Sequence, residues 1–470
     1  MTLYVFILKL CNLLKFFIFC DNLLLEKLPK EVFNMRRNQR GRGNRKIKVF
    51  DKEHQDRKMI QYLSFLSIGL LVLLLCITIV YQTYHYIQRK QFAKSVDAEI
   101  QQHISEAEAL VQEKNEQEKK DTTFTMTAIG DIMCHNTQYL DAYVAEADDY
   151  DFSYVFEDIY RYTKMTDITI GSLETTFAGK ERGYSNYPTF NSPDNLAYDL
   201  KKIGLDVIST AGNHCLDMGF SGLSRTIDVL NDADISHLGT YQSQKDRDKI
   251  LFKNVKGIKI AFVNYTYGTN GIPVPAGQEF CVNLIDKDVI KKDLENAKKD
   301  EPDIIVACMH WGTEYKTTAS PEQEELADFL FQNGVDIILG NHPHVLEPME
   351  KRTITLEDGT QKDGFVIYAL GNFICDQNAE NTRNSIILNL KITKHLDGKI
   401  SIDKADYIPL YMYKDTASKS KSMKLLDIEK IISKYETALH DGTEPPVSQE
   451  LYQNLKVQLE KIQNIVGPEF

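Results

Sequence analysis

The sequence lacks the cysteine pattern of a disulfide-stabilised protein. Its eight cysteines stand at residues 11, 20, 76, 134, 215, 281, 308 and 375. Five of them follow the long apolar segment described below, an odd number without regular spacing, which excludes a disulfide framework. Cys134, Cys215 and Cys308 adjoin polar motifs, but packing as small buried apolar side chains is the better interpretation than metal binding. Tryptophan is also scarce: Trp311 is the only one, and it either packs in the core or lines a binding cleft.

Basic residues are scarce in the main body of the chain. The 470 residues include 55 Lys and Arg against 67 Asp and Glu, a formal net charge of −12 at pH 7. Residues 1–121 carry 20 basic and 14 acidic residues, so residues 122–470 carry 35 and 53. An acidic body argues against nucleic acid as a partner, because phosphate neutralisation needs Lys and Arg surfaces. With 43% hydrophobic residues, the chain can form at least one globular unit plus accessory segments.

Charge is absent from one long segment, residues 59–88. Within it, the stretch from Tyr62 to Tyr81 is apolar enough to cross a bilayer, for which about 20 residues suffice. Tyrosines stand near both of its ends, as interfacial aromatic residues do. Residues 36–58 hold ten basic and three acidic residues, and only three basic residues follow the segment closely. The positive-inside rule therefore predicts a cytoplasmic N-terminus and an extracellular main body after about residue 82.

The region before this segment allows three interpretations. An apolar stretch at residues 4–25 is interrupted by Lys9, Lys15 and Asp21, so it is either a weak additional span or a signal-like segment. The basic sequence that begins at Met35 favours a third hypothesis, in which translation starts there and residues 1–34 are not translated. The predicted organisation is a basic cytoplasmic segment at 1–58, a transmembrane helix at 59–82, a polar helical stalk at 83–121, a main domain at 122–415 and C-terminal helices at 416–470.

From residue 122 onward, apolar β-rich runs alternate with helical patterns. The predicted strands are residues 124–132, 167–173, 206–211, 258–264, 303–309, 336–339 and 365–370. The predicted helices are residues 151–164, 194–203, 217–233, 286–300 and 320–333. Residues 384–414 are expected to form antiparallel strands around Asp397-Gly398, and residues 423–465 helices interrupted near Pro445-Pro446. Such alternation indicates an α/β fold with a largely parallel or mixed sheet.

Six of the predicted strands end in a polar cluster, and five of the eight histidines after residue 121 lie in these clusters. Each of these residues, considered alone, also has an interpretation without a function. Asp131 would cap a helix, Asn213 would occupy a turn, and Glu174 would be a solvated loop residue. Together they favour a functional site, because the C-terminal edges of parallel strands meet at one edge of a sheet. Carboxylate, amide and imidazole groups form a ligand set for divalent Mn, Zn or Fe. Two such ions would polarise a phosphoryl or acyl oxygen and activate water.

The motifs in these clusters are specific in combination. They are Gly130-Asp131, Leu173-Glu174, Asn213-His214 with Leu216-Asp217, His310-Trp311-Gly312 with Glu314-Tyr315, Gly340 with His342-Pro343-His344-Val345-Leu346-Glu347-Pro348, and Leu370-Gly371-Asn372-Phe373. Over about residues 124–376 they resemble the CapA/PgsA family, membrane-anchored proteins of poly-γ-glutamate capsule biosynthesis. That family is similar to calcineurin-like metallophosphoesterases. The resemblance implies a metallophosphoesterase-like α/β/β/α sandwich with a dinuclear metal site, preceded here by one transmembrane helix and a helical stalk.

The resemblance also implies a role for individual residues. The ligands of the first metal would be Asp131, Glu174 and His344. The ligands of the second metal would be Glu174, as the bridging carboxylate, with Asn213, His310 and His342. The general acid near the leaving group would be His214. The residues that contact substrate or support the ligands would be Trp311, Glu314, Glu347 and Asn372.

The sequence departs from ordinary phosphoesterases at three positions. Met133 stands where they carry the histidine of an Asp-x-His motif, and His135 is displaced by two further residues. Glu174 replaces the bridging aspartate, and Asn341 separates Gly340 from the first histidine of the last motif. Phosphatase activity therefore does not follow from the resemblance.

Three functional hypotheses remain. The first is an extracytoplasmic, membrane-anchored protein of poly-γ-glutamate (or similar anionic polymer) synthesis or export, with polymer-synthesis subunits as partners. The second is a metal-dependent hydrolase of a phosphoester or amide bond in an envelope substrate. The third is a non-catalytic scaffold that binds polymer or partner subunits. The metal content of the protein discriminates the second from the third.

Overall fold

The computed structural model describes residues 44–117, 121–356, 359–418 and 420–470. The chain separates into two units, one up to Ile87 and one from Gln88 to Phe470. The apolar stretch at residues 4–25 and the proposed start at Met35 lie outside the described residues. So does most of the predicted cytoplasmic segment 1–58.

Within the described residues, the helices are numbered in chain order. They are Asn44–Gln117 (α1), Asn136–Asp141 (α2), Tyr160–Lys164 (α3), Asn195–Lys202 (α4), Gly219–Asp232 (α5), Gln244–Arg247 (α6), Lys287–Lys298 (α7), Pro321–Gln332 (α8), Ile428–Asp441 (α9) and Gln449–Val466 (α10). The strands are Thr122–Ile132 (β1), Tyr143–Val144 (β2), Asp149–Tyr150 (β3), Ile168–Leu173 (β4), Val207–Ser209 (β5), Ser236–Leu238 (β6), Leu251–Val255 (β7), Ile258–Thr266 (β8), Ile304–His310 (β9), Ile337–Asn341 (β10), Met349–Thr355 (β11), Gln361–Ile367 (β12), Asn372–Ile374 (β13), Asn384–Lys394 (β14), Ile400–Lys414 (β15) and Met423–Asp427 (β16).

Helix α1 contains the predicted membrane segment and most of the predicted stalk. Its stretch Gln61–Lys90 is long and apolar enough to cross a membrane. The large apolar side chains there are exposed, for example Leu66 at 72% and Leu71 at 68%. Such a row of exposed apolar side chains is stable in hydrocarbon and costly in water. This helix is therefore consistent with a single-pass membrane anchor.

Two mixed sheets form the body of the second unit. The first has the strand order β16-β15-β14-β1-β4-β5-β6, with β13 beside β1. In it β1, β4, β5 and β6 run parallel, whereas β14, β15 and β16 are antiparallel. The second has the order β11-β12-β10-β9-β8-β7, with parallel central strands and antiparallel edges. The parallel strands of both sheets confirm the predicted α/β class.

The sheets pack face to face, with helices on the outside. Successive residues of β9 alternate between two cores: Ile304 and Val306 lie in the core shared by both sheets, and Ile305 lies in the core under α7 and α8. A strand that buries both of its faces in this way is central in a layered fold. A third core packs α4 and α5 onto the outer face of the eight-stranded sheet. The architecture is the expected α/β/β/α sandwich.

Two predicted helices are wrong in part. Residues 151–164 do not form one helix: a short 3₁₀ turn at Ser153–Phe156 and the separate helix α3 replace it. The aromatic side chains of this turn are buried, so tertiary packing overrides the local pattern. Residues 423–427 form β16 instead of a helix, because Met423 and Leu425 fill the core of the eight-stranded sheet. The helix begins after Asp427, which caps it. The sheet therefore continues beyond residue 415, across the predicted start of the C-terminal helices.

Candidate metal centre

The carboxyl ends of β1, β4, β9 and β10 bring five predicted ligands together. Asp131 lies near the end of β1, Glu174 directly follows β4, and His310 ends β9. His342 and His344 lie in the loop after β10. The five form two groups, Glu174 with His310 and His342, and Glu174 with Asp131 and His344. Within each group the potential ligand atoms all lie within 4.8 Å of one another. Glu174 belongs to both groups.

Several polar atoms of this cluster are buried without a hydrogen-bond partner. Among the described residues these include Asp131 Oδ1, both carboxylate oxygens of Glu174, and Nδ1 of His310 and of His342. Asp131 is 0% exposed and Glu174 1%. Buried charges in proteins are paired or coordinate metals, because an uncompensated one is very costly. The donor set therefore fits a divalent cation of the Mn, Zn or Fe type.

The pKa values of the cluster also reflect charged groups that are buried without a compensating partner. Burial raises the pKa of Asp131 to about 7, against the opposing effect of the His342 N–H that donates to its Oδ2 at 2.9 Å. Burial, together with the Asp131 charge, raises the pKa of Glu174 well above its ordinary value. Burial lowers the pKa of His342 to about 3 and of His344 to about 4, and that of His310 well below its usual range. At neutral pH the imidazoles are thus uncharged and have lone pairs available to a metal.

The histidine loop is held in a strained backbone conformation. His342 has φ 101° and His344 φ 62°, both in the left-handed region that costs non-glycine residues of order 1–3 kcal/mol each. Residue 340, just before this loop, has to be glycine, because its backbone passes close to the residue that follows β12. A Cβ on residue 340 would lie 1.8 Å from the Tyr368 carbonyl oxygen. In this conformation each of the two imidazoles lies in a ligand group with Glu174.

Asn213 and His214 lie beside the second ligand group. Asn213 Oδ1 is 2.9 Å from His310 Nε2. His214 Nδ1 is 2.7 Å from the fully buried Asp217 Oδ2, which also accepts the N–H of Phe190 at 2.7 Å. The carboxylate places the imidazole proton on Nδ1 and leaves Nε2 to act on another group. The Phe190 ring packs edge-on against His214, at 4.8 Å between ring centroids.

The four residues predicted to contact substrate or support the ligands differ in their burial and in their contacts with the cluster. Asn372 supports His344: its Oδ1 is 3.2 Å from His344 Nδ1, and its Nδ2 donates to the His344 carbonyl oxygen. Glu347 is fully buried and accepts from Gln323 Nε2 at 2.7 Å, and burial raises its pKa to about 8. Glu314 is exposed.

Trp311 does not line a cleft. It is 2% exposed in the core between the six-stranded sheet and its helices, and its indole N–H donates to the Tyr368 carbonyl oxygen at 2.9 Å. The chain reverses the side-chain direction between His310 and Trp311, as successive residues at the end of a strand do. Trp311 therefore cannot contact a substrate; it packs against the backbone of Gly340.

His135 and the cysteines near the motifs lie outside both ligand groups. His135 Nδ1 accepts the Asp376 N–H at 3.2 Å, and its ring packs against Phe190. Cys134 and Cys308 are buried, and burial raises the pKa of each thiol to about 12. A protonated, buried thiol packs as a small apolar group.

Two residues of the loop after β8 lie at the site although the sequence motifs did not predict them there. Tyr267 lies with its ring centroid 4.5 Å from that of His342, and Asn270 contacts Asn213 and His214. The signal was present in the sequence, since Tyr267-Gly268-Thr269-Asn270-Gly271 is a polar, glycine-containing cluster directly after a predicted strand. Because that cluster contains no histidine or carboxylate, it was not predicted to be part of a metal site.

The fold and this cluster define a class of protein: an α/β/β/α sandwich with a buried histidine–carboxylate group at the carboxyl ends of its strands. The family described as "Bacterial capsule synthesis protein PGA_cap" matches residues 125–377. This match covers more than half of the chain, and the chain belongs to that family.

Individual relatives agree with the family match. The chain is 29% identical to the capsule biosynthesis protein CapA of Bacillus anthracis over 296 residues, 61% of this chain and 67% of that protein. It is also 29% identical to the PGA biosynthesis protein CapA of Bacillus subtilis over 304 residues, 61% of this chain and 72% of that protein. A structural comparison finds similarity to the calcineurin-like phosphoesterase YfkN from Bacillus subtilis, at 16% identity and a TM-score of 0.40, over 73% of this chain and 99% of that chain.

Proposed function

We propose that this protein acts outside the cell membrane, anchored by α1, in the synthesis or export of poly-γ-glutamate or a similar anionic capsule polymer. Family membership carries the proposal. The apolar stretch Gln61–Lys90 supports the anchor, and the basic residues at 36–58 support a cytoplasmic N-terminus. The synthesis machinery of the polymer supplies the expected partner subunits, and nucleic acid is not a partner.

We further propose that the cluster binds two divalent ions. Asp131, Glu174 and His344 would hold one ion, and Glu174 with Asn213, His310 and His342 the other. The unpaired buried ligand atoms support this assignment. The acidic main body repels a polyanion, and bound cations would offset that repulsion. Among the described residues, this cluster is the only one rich in histidine.

A second candidate function, hydrolysis of a phosphoester or amide bond, is favoured by the His214–Asp217 pair. Divalent ions at such a site polarise the scissile group and lower the pKa of water. A His214 ring protonated at both nitrogens would donate its Nδ1–H to Asp217 and transfer its Nε2–H to a leaving group. Phe190 covers the imidazole and limits the access of water.

Complementation of a capsule-deficient strain tests the metal-centred function. His342→Ala and Asn213→Ala should each abolish capsule polymer and lower the Mn, Zn or Fe content of the purified full chain. The control His395→Ala changes a histidine in the β14–β15 turn that pairs with Asp121 and Ser401, and it should leave both quantities unchanged. Normal polymer production by His342→Ala and Asn213→Ala would favour the non-catalytic scaffold instead.

Asp217→Asn tests the hydrolase candidate. The variant keeps an oxygen for the Phe190 N–H but loses the charge that holds His214, so the metal content should persist while turnover of an activated phosphoester or γ-glutamyl amide falls at least about 100-fold. Equal turnover in the wild type and the variant would remove His214 from the reaction. Reporter fusions after residues 58 and 121 test the orientation, since only the second should report from outside the cell.

A further inference from the structure

Asn213 can serve as a ligand only if its side-chain oxygen, and not its nitrogen, faces the cluster. Carbonyl oxygens coordinate metals, whereas the amide NH₂ group has no lone pair to offer. In the structure Oδ1 lies 2.9 Å from His310 Nε2, so the oxygen faces the ligand group. Asn213 is 1% exposed, and an amide buried there requires a partner for its NH₂ group as well.

Asn270 supplies that partner. Its Oδ1 accepts from Asn213 Nδ2 at 3.2 Å. The Tyr267 hydroxyl also approaches this Oδ1, at 3.5 Å. Because the Asn270 oxygen accepts only from a donor, it selects the orientation of Asn213 in which Nδ2 faces Asn270 and Oδ1 faces His310.

The Asn270 amide nitrogen covers His214 at the same time. Nδ2 lies 3.4 Å from His214 Nδ1 and 3.3 Å from Nε2. It therefore contacts the edge of the ring at both nitrogens and limits movement of the ring.

The backbone conformation of Asn270 is an uncommon one. Its φ is 51°, in the left-handed region that asparagine tolerates better than most residues. Asn270 is exposed to solvent, whereas Asn213 is buried. A residue that keeps an uncommon backbone conformation beside a candidate site is more informative about function than an ordinary turn residue is.

We propose that Asn270 is a positioning residue, which orients the Asn213 amide as a metal ligand and restrains His214. The inference rests on the proposed metal centre. Partners that orient ligands from outside the coordination sphere typically contribute 10–100-fold to metal affinity, and Asn270 is expected to contribute about tenfold at the second ion position.

Mn²⁺ titration of the full chain in detergent, followed by electron paramagnetic resonance, tests the proposal. Asn270→Gly removes the amide and relieves the left-handed backbone, so the protein should remain folded and bind Mn²⁺ about tenfold more weakly. Asp234→Gly is the matched control: Asp234 also has a left-handed backbone, at φ 57°, but it lies in the turn between α5 and β6. It should bind Mn²⁺ as the wild type does.

A second background isolates the orienting effect. In Asn213→Asp either carboxylate oxygen can be the ligand, so orientation by Asn270 becomes irrelevant and adding Asn270→Gly should leave the Mn²⁺ affinity unchanged. An equal loss in both backgrounds, or no loss in the wild-type background, would overturn the role of Asn270. If the wild-type chain itself bound no Mn²⁺, the metal centre would be the proposal that fails.

Discussion

Asp131→Asn should stabilise the metal-free protein at neutral and alkaline pH. The side chain is 0% exposed, and burial raises its pKa from 3.8 to about 7. Each pKa unit corresponds to about 1.4 kcal/mol, so ionising Asp131 in the folded protein costs about 4 kcal/mol relative to the unfolded chain. Asparagine has the same shape and keeps an oxygen for the His342 N–H, but it carries no charge to bury.

The pH dependence follows from the sign of the shift. Below about pH 3 the carboxyl is protonated in both states, so the substitution changes little. As the pH rises toward 7 the unfolded chain ionises first and the folded protein loses stability, until the cost is complete above the folded pKa. The variant lacks this loss. Its advantage should therefore grow from near zero at about pH 3 to about 4 kcal/mol at about pH 8.

Urea unfolding of the full chain in detergent with a chelator measures this difference. Added Mn²⁺ should narrow the difference without reversing it, because an ion at 100 times its dissociation constant stabilises the wild type by about 2.7 kcal/mol and the variant by less. A variant that is equally or less stable than the wild type at pH 8 in chelator would refute the reasoning. It would mean that Asp131 is not an uncompensated buried acid.

Two other perturbations test different parts of the site. Mn²⁺ binding at pH 7 should release protons and tighten as the pH rises from 6 to 8, because the Asp131 carboxyl, with a pKa of about 7, holds a proton in part of the molecules and the metal displaces it, while the imidazoles are already uncharged. Calorimetry in buffers of different ionisation enthalpy measures this, and proton uptake would contradict it. Gly340→Ala should lower stability by 1–3 kcal/mol or more and weaken Mn²⁺ binding, since its Cβ would meet the Tyr368 carbonyl oxygen. The control Gly268→Ala, with no atom within 4 Å of the added carbon, should leave the melting temperature unchanged.

The regular elements were predictable wherever periodicity was strong. Helices α4, α5, α7 and α8 begin and end within two residues of their predicted bounds, because each combines an apolar stripe with turn or capping residues at its ends. The pattern failed at residues 151–164 and 423–427, where short apolar runs are compatible with either element. There the choice was made by the cores that those side chains fill.

The sequence by itself determined the long apolar helix, the α/β class and the strand ends at which polar residues collect. These are local properties, because periodicity, charge and turn residues act over a few neighbouring positions. Only the tertiary structure decided that Glu174 belongs to two ligand groups, that Trp311 faces the core, and that Asn270 lies against Asn213 and His214. Each of these depends on how two separate sheets pack and where their strands end relative to one another, and no local pattern encodes that distance.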